Sequence, residues 1–202
     1  PGVSSTFSAA LLPQAASTSS RSKPTSQLTE LAEAGLHIAY LGLESGNEQV
    51  LARMNKGETV SEIIEAGRKV KAAGIALSLT AINGLGGAEM SREHAIDTAK
   101  AVSAIKPDYV ALLTLRVYTG TPLADWVEEG SFTLMDPVEL ARESRLFLEH
   151  VDSEGSVFRS NHASNYLPLA GTLNADREKM IAQLDAALAG KRRFRSQVEL
   201  GF

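Results

Sequence analysis

His37-Ile38-Ala39-Tyr40-Leu41-Gly42-Leu43-Glu44-Ser45-Gly46 is a short apolar run that stops at a carboxylate and a turn. His37 to Leu43 reads as a buried-type β-strand, and the sequence around it is helical on both sides. Upstream, Leu28, Leu31 and Ala34 space a short amphipathic helix that ends at Gly35. Downstream, Ser45 with Glu48 predicts a capping box opening a helix through Arg53, and Thr59 with Glu62 predicts a second. That second helix turns Ile63, Ile64, Ala66, Gly67 and Val70 inward and stops at Gly74. Ile75 to Ile82 is again an apolar strand, followed by the loop Asn83-Gly84-Leu85-Gly86-Gly87. Ser91 predicts the cap of a helix reaching Ile105, and Tyr109 to Val117 a third strand after the turn at Pro107-Asp108. Thr121-Pro122 starts a helix ended by Gly130, and Asp136-Pro137 starts another running to about His150. A polar segment, 152–171, then leads to a last helix from Asn174 to Gly190. Strands alternating with helices predict an α/β fold with a parallel sheet and right-handed crossovers. Three strands are too few for a closed eight-stranded barrel of about 250 residues. The expectation is a piece of a barrel.

The composition sets limits on function. Hydrophobic residues make up 44% and charged residues 22% of the 202, the balance of a globular chain. No apolar run reaches the roughly 20 residues that span a bilayer. A net charge of −4 argues against a general nucleic-acid-binding surface. There is no cysteine, which excludes disulfides, Cys nucleophiles and Cys-ligated metal or iron–sulfur centres within these residues. Residues 1–26 hold eleven Ser or Thr, Arg21 and Lys23, and no acid, so they are expected to be disordered or unrelated to the domain behind them. An organelle transit segment is the alternative there, against an otherwise cytoplasmic expectation. The divisions that follow are a partial barrel over 27–150, a C-terminal segment and helix over 151–190, and a basic, solvated tail over 191–202.

In parallel α/β folds, functional groups gather where strands end. Glu44 sits at such an end, where a carboxylate can accept hydrogen bonds from the vicinal hydroxyls of a ribose. The competing reading is that it interacts with the dipole of the following helix. Gly84, Gly86 and Gly87 would let a ligand approach the backbone and expose N–H groups to it. Arg116 to Thr121 is a third strand end. His37, His94, His150 and His162 show no metal-ligand spacing, and His94 reads as a capping or surface residue. The polar run Phe158 to Tyr166 either lines a pocket or satisfies its own loop backbone.

Taken in order, Glu44-Ser45-Gly46, Val50-Leu51, Met54-Asn55-Lys56-Gly57, Ala73-Gly74-Ile75 and Gly84-Leu85-Gly86-Gly87 resemble the second half of a radical S-adenosylmethionine enzyme. Pro107-Asp108-Tyr109, Gly120-Thr121-Pro122-Leu123 and the stretch from Phe158 to Gly171 extend the likeness over about residues 27–189. The branch it looks like is that of the oxygen-independent coproporphyrinogen oxidases and the Elp3-like proteins. The resemblance implies strands four to six of a (β/α)6 core related to the TIM barrel, followed by C-terminal helices. It implies S-adenosylmethionine as cofactor, with Glu44 at the ribose, Ser45 beside it among the cofactor-binding residues, Lys56 pairing with the methionine carboxylate, and Gly84, Gly86 and Gly87 against the adenine or ribose. Thr119 departs from the pattern, since related sequences often have a proline there. The larger departure is that the family's Cys-x-x-x-Cys-x-x-Cys loop, which holds a 4Fe-4S cluster, has no counterpart here.

The expected function is therefore that of a radical SAM enzyme fragment, inactive alone because the cluster ligands are missing. The alternative is a non-catalytic nucleoside-binding or scaffold protein derived from half a barrel. The substrate is an unknown small molecule, and neither a membrane nor nucleic acid is an expected partner. Self-association is expected through Ile38 to Leu43, a strand written for a barrel interior and left at an edge without charge, proline or cover.

Overall fold

The computed structural model describes residues 24–200. In chain order the elements are α1 (Thr25–Glu33), β1 (Ile38–Glu44), α2 (Glu48–Arg53), α3 (Val60–Ala72), β2 (Ala76–Asn83), α4 (Ser91–Ile105) and β3 (Tyr109–Thr114). They continue through α5 (Pro122–Glu128), α6 (Pro137–His150), β4 (Val157–Ser160), β5 (Leu169–Thr172) and α7 (Arg177–Leu188), with a 3-10 turn at Val198–Leu200. The strands form one sheet in the order β1-β2-β3-β4-β5. The first four are parallel and β5 returns antiparallel to β4.

The sheet is built by alternation. Leu41 and Leu43 of β1, Leu77, Leu79 and Ala81 of β2, Val110 and Leu112 of β3 and Phe158 of β4 are all buried. They form one core with Ile63 and Val70 of α3, Val102 and Ile105 of α4, Phe147 and Leu148 of α6, and Met180 and Leu184 of α7. The opposite face is open. Register places Tyr40, Ser78, Tyr109, Val157 and Thr172 in one row across it, and Tyr40 is 68% exposed.

Several boundaries differ from the sequence reading. The segment 152–171 contains two strands, so the parallel sheet has a fourth member and an antiparallel fifth. Val157-Phe158-Arg159-Ser160 alternates burial, and its polar members mask the one apolar anchor, Phe158. Strand β3 ends at Thr114 rather than Val117. Helix α2 is capped by Asn47, whose side chain accepts from the Gln49 and Val50 N–H groups, and not by Ser45. Ser91 does not cap α4 either: its hydroxyl donates to Glu143. Thr59 and Glu62 do form the expected capping box.

Helix α1 begins at Thr25, and the part of the Ser/Thr-rich segment before Pro24 lies outside the described residues. The basic run leaves Lys191 and Arg193 exposed to solvent, as expected, but is also tied to the fold. Arg195 N–H donates to the Tyr166 carbonyl at 2.8 Å, both Arg193 guanidinium nitrogens reach Glu199, and Phe194 packs on the core. At the other side of the sheet β1 pairs only with β2 among the described residues, and it does carry one edge device, a register irregularity between Gly42 and Glu44.

Candidate functional site

The site starts at that irregularity. Pairing passes from Gly42–Thr80 directly to Glu44–Ala81, so two residues of β1 advance against one of β2. Glu44 takes φ +59°, a left-handed conformation uncommon for a residue with a side chain. Its carboxylate folds back along the strand. A Cβ on residue 42 would fall 2.1 Å from Glu44 Oε1 and 3.2 Å from Lys56 Nζ, so glycine there makes the room. Lys56 Nζ stands 3.3 Å from Glu44 Oε1 and 3.9 Å from Glu58 Oε2. Burial raises the Glu44 pKa above the usual carboxylate value, Lys56 opposes this, and the charge of Glu58 adds to it. The two side chains remain 29% and 21% exposed, which leaves the pair reachable by a ligand at the mouth of the strand.

Behind Glu44 the chain is fastened to α4. The Gly46 N–H donates to Thr98 Oγ1 at 2.9 Å, and Asn47 Nδ2 donates to Asp97 at 2.8 Å. Ser45, expected to join Glu44 at the cofactor, is fully buried instead. Its Oγ lies 2.8 Å from His94 Nδ1 and accepts from the Asn47 N–H at 3.0 Å.

The glycine loop is likewise turned inward. Gly84, Leu85, Gly86 and Gly87 are all buried. Gly84 has φ +85°, and its N–H donates to Glu143 Oε1 at 2.6 Å. The N–H groups of Leu85 and Gly87 bond to Ile82 and Gly84 carbonyls. The N–H donors of Gly84, Leu85 and Gly87, expected to face an anion, are thus committed within the protein. A Cβ at residue 86 would meet His94 Cβ at 3.0 Å, so this glycine serves the packing of the loop on α4.

Two residues of this layer were not legible as site residues. His94, expected to cap or lie at the surface, is 2% exposed. Its Nε2 is 3.0 Å from the Ile82 carbonyl and 3.8 Å from Glu143 Oε1. A carbonyl only accepts, so Nε2 carries the hydrogen and Nδ1 accepts from Ser45. Burial lowers the His94 pKa to about 4 and raises that of Glu143 to about 7, the latter opposed by the bonds from Ser91 and Gly84. Their positions carried the signal: His94 lies four residues before Thr98 and eight before Val102, and Glu143 four before Phe147, on buried helix faces. Ser45, His94 and Glu143 do not make a nucleophilic triad, because the serine is sealed from solvent and the Nε2 hydrogen of His94 goes to the Ile82 carbonyl rather than to Glu143.

The polar run does both things expected of it: Ser160, Asn165 and Tyr166 line a small cavity with Asn83 and Thr114, and its side chains also bond to nearby backbone. Asn165 Nδ2 donates to the Leu112 carbonyl at 2.9 Å and its Oδ1 accepts from Thr114, closing the end of β3. His162 Nδ1 lies 3.0 Å from Ser164 Oγ, within its own loop. Arg116 stacks 5.8 Å from the Tyr118 ring. No group of three or more metal-ligating side chains exists among the described residues.

A mostly parallel β/α sheet with a carboxylate–lysine pair at a strand mouth defines an α/β protein of partial-barrel type with a candidate polar site. Residues 15–102 match the radical SAM superfamily model. An uncharacterized protein of Methanocaldococcus jannaschii is 31% identical over 125 residues, 61% of this chain and 38% of that protein. The Elp3 protein of Methanocaldococcus infernus, with its N-terminal residues 1–46 deleted, superposes with a TM-score of 0.59 at 18% identity, covering 83% of this chain and 40% of that one. Methylornithine synthase (PylB) superposes at 0.50 and 18%, covering 80% and 42%. The chain thus spans about two fifths of the length of these proteins. Both structural likenesses agree with the expected partial barrel; neither specifies the coproporphyrinogen oxidase branch.

The superfamily implies S-adenosylmethionine and a 4Fe-4S cluster. The cluster does not fit these residues, which offer no thiolate and no alternative metal group among those described. The chemistry of a nucleoside does suit the Glu44 carboxylate, which Gly42 leaves room to seat beside Lys56 and whose side chain stays 29% exposed.

Proposed function

We propose that this chain forms the ribose-holding side of a radical SAM barrel, with the cluster-binding cysteines supplied from outside these 202 residues. The observation that carries the reading is the half-buried Glu44 carboxylate, aimed from a left-handed backbone over Gly42. A carboxylate presents two oxygens and about four acceptor sites, enough for both ribose hydroxyls while Lys56 holds one edge. Lys56 serves as the counter-ion that opposes the effect of burial on Glu44. The Gly84 to Gly87 turn, buried and with its donors at Gly84, Leu85 and Gly87 engaged, braces the end of β2 behind the site. S-adenosylmethionine would supply the nucleoside that Glu44 holds, and this chain's own part is to bind and orient it.

Titration with S-adenosylmethionine tests the reading. Without a cluster to chelate the methionine end, two charge-assisted contacts at ~1.5–3 kcal/mol each are lost, a factor of ~10² to 10⁴. We expect weak binding that Glu44→Ala abolishes. Submicromolar affinity, or an unchanged isotherm in Glu44→Ala, would count against it.

A further inference from the structure

Glu44 keeps a backbone conformation that a glutamate seldom adopts, in a tight turn closed by the Ser45 N–H donating to the Leu43 carbonyl at 2.7 Å. Ser45 is sealed in the core with its hydroxyl on His94 Nδ1 at 2.8 Å. The same ring donates from Nε2 to the carbonyl of Ile82, on β2 one residue before its end. The imidazole therefore bridges the residue after Glu44 to the neighbouring strand at the point where the Gly84 loop begins. Further along, Gly46 and Asn47 are tied separately to Thr98 and Asp97, so the loop keeps two anchors that do not involve the histidine.

We propose that His94 is a positioning residue for the candidate ribose site: acting through Ser45, it holds Glu44 in the left-handed conformation that presents its carboxylate over Gly42. The consequence for binding rests on the reading of Glu44 given above; the geometric claim does not. His94 lies behind Glu44, against Ser45 and Ile82, and moves no proton to a ligand, so it acts only through its neighbour.

The two ring nitrogens allow a separating experiment on the full chain. In His94→Asn the amide oxygen takes the place of Nδ1 and keeps an acceptor for Ser45. In His94→Gln the side chain reaches the place of Nε2 and keeps the bond to Ile82 while losing Ser45. The first readout is ligand-free: the Cα and Cβ NMR shifts of Glu44, which report the left-handed backbone. The second is affinity for S-adenosylmethionine. We expect His94→Gln to move the Glu44 shifts toward the extended range and to weaken binding about tenfold, the worth of one net hydrogen bond. His94→Asn should restore both, with affinity within about threefold of the parent. Identical Glu44 shifts in the two variants would overturn the proposal, because a merely structural role does not distinguish which nitrogen is replaced. If no form of the protein binds S-adenosylmethionine, the ribose reading fails while the shifts still decide the role of His94. Should neither histidine variant fold, Ser45→Ala decides: displaced Glu44 shifts support the proposal and unchanged shifts refute it.

Discussion

A side chain on a left-handed backbone costs about 1–2 kcal/mol relative to its usual conformations, and Glu44 accepts that strain at the mouth of β1. Strain of this kind persists only where the surroundings over-determine it, as the Ser45, Gly46 and Asn47 tethers do here. Gly42 is the other half of the arrangement. A methyl at residue 42 would occupy the carboxylate's place, but the obstructing atoms are the far ends of two flexible side chains. We therefore expect Gly42→Ala to fold with a melting temperature close to the parent's while S-adenosylmethionine affinity drops at least about tenfold. Parallel thermal melts and titrations check it. A large loss of stability with binding intact would show that Gly42 serves the strand and not the site.

At the scale of elements, α4 and α6 meet through two buried titratable groups with opposite shifts. Glu143 moves from 4.5 to about 7, so its stabilising protonation is complete below 4.5 and is lost as pH rises through about 7. His94 moves from 6.5 to about 4, so the stability of its neutral form is complete above 6.5 and is lost as pH falls through about 4. Between pH 4.5 and 6.5 the two slopes oppose each other, and the parent should show a nearly flat profile. Glu143→Gln leaves only the histidine, and its stability should decline as pH falls from 6.5 toward 4. His94→Asn leaves only the acid, and its stability should rise as pH falls from 7 toward 4.5. Each uncovered slope is at most about 1.4 kcal/mol per pH unit, one proton's worth. Denaturant titrations across this range measure both. Parallel slopes in the two variants would contradict the opposed burial of the pair.

For the whole molecule, the open face and the β1 edge dominate. Tyr40 and Tyr109 stand 68% and 42% exposed on one row of a sheet whose other face is a continuous core. From Ile38 to Leu41 the edge carries no charge or proline, and the irregularity at Gly42 protects only its end. We expect concentration-dependent self-association in light scattering, reduced in Tyr40→Lys. A monodisperse monomer across the concentration range would show that the half barrel covers its own surfaces. Reconstitution with iron and sulfide should give no stable cluster absorption, since no cysteine is present. A band near one cluster per chain would overturn the division of labour proposed for these residues.

What the linear sequence determined was local. The apolar runs at His37 to Leu43 and Ile75 to Ile82, the Thr59 and Asp136 caps and the glycine stops depend on neighbours within a few residues, and the elements stand where those signals put them. The ordered motifs that carry Glu44 and Lys56 also marked the superfamily, and the structure brings that pair to 3.3 Å. Strands β4 and β5 were missed because four-residue strands have almost no period of their own; the β3 partners of β4, Val110 and Ala111, lie nearly fifty residues away, and β5 pairs only with β4. Ser45 carried a valid capping pattern and Gly84 a valid ligand pattern. Only tertiary packing decided that the hydroxyl would go to His94 and the N–H to Glu143, across 49 and 59 residues. A hydrogen-bonding group close to several partners takes whichever the fold desolvates with it, and that choice exists only once the chain is assembled.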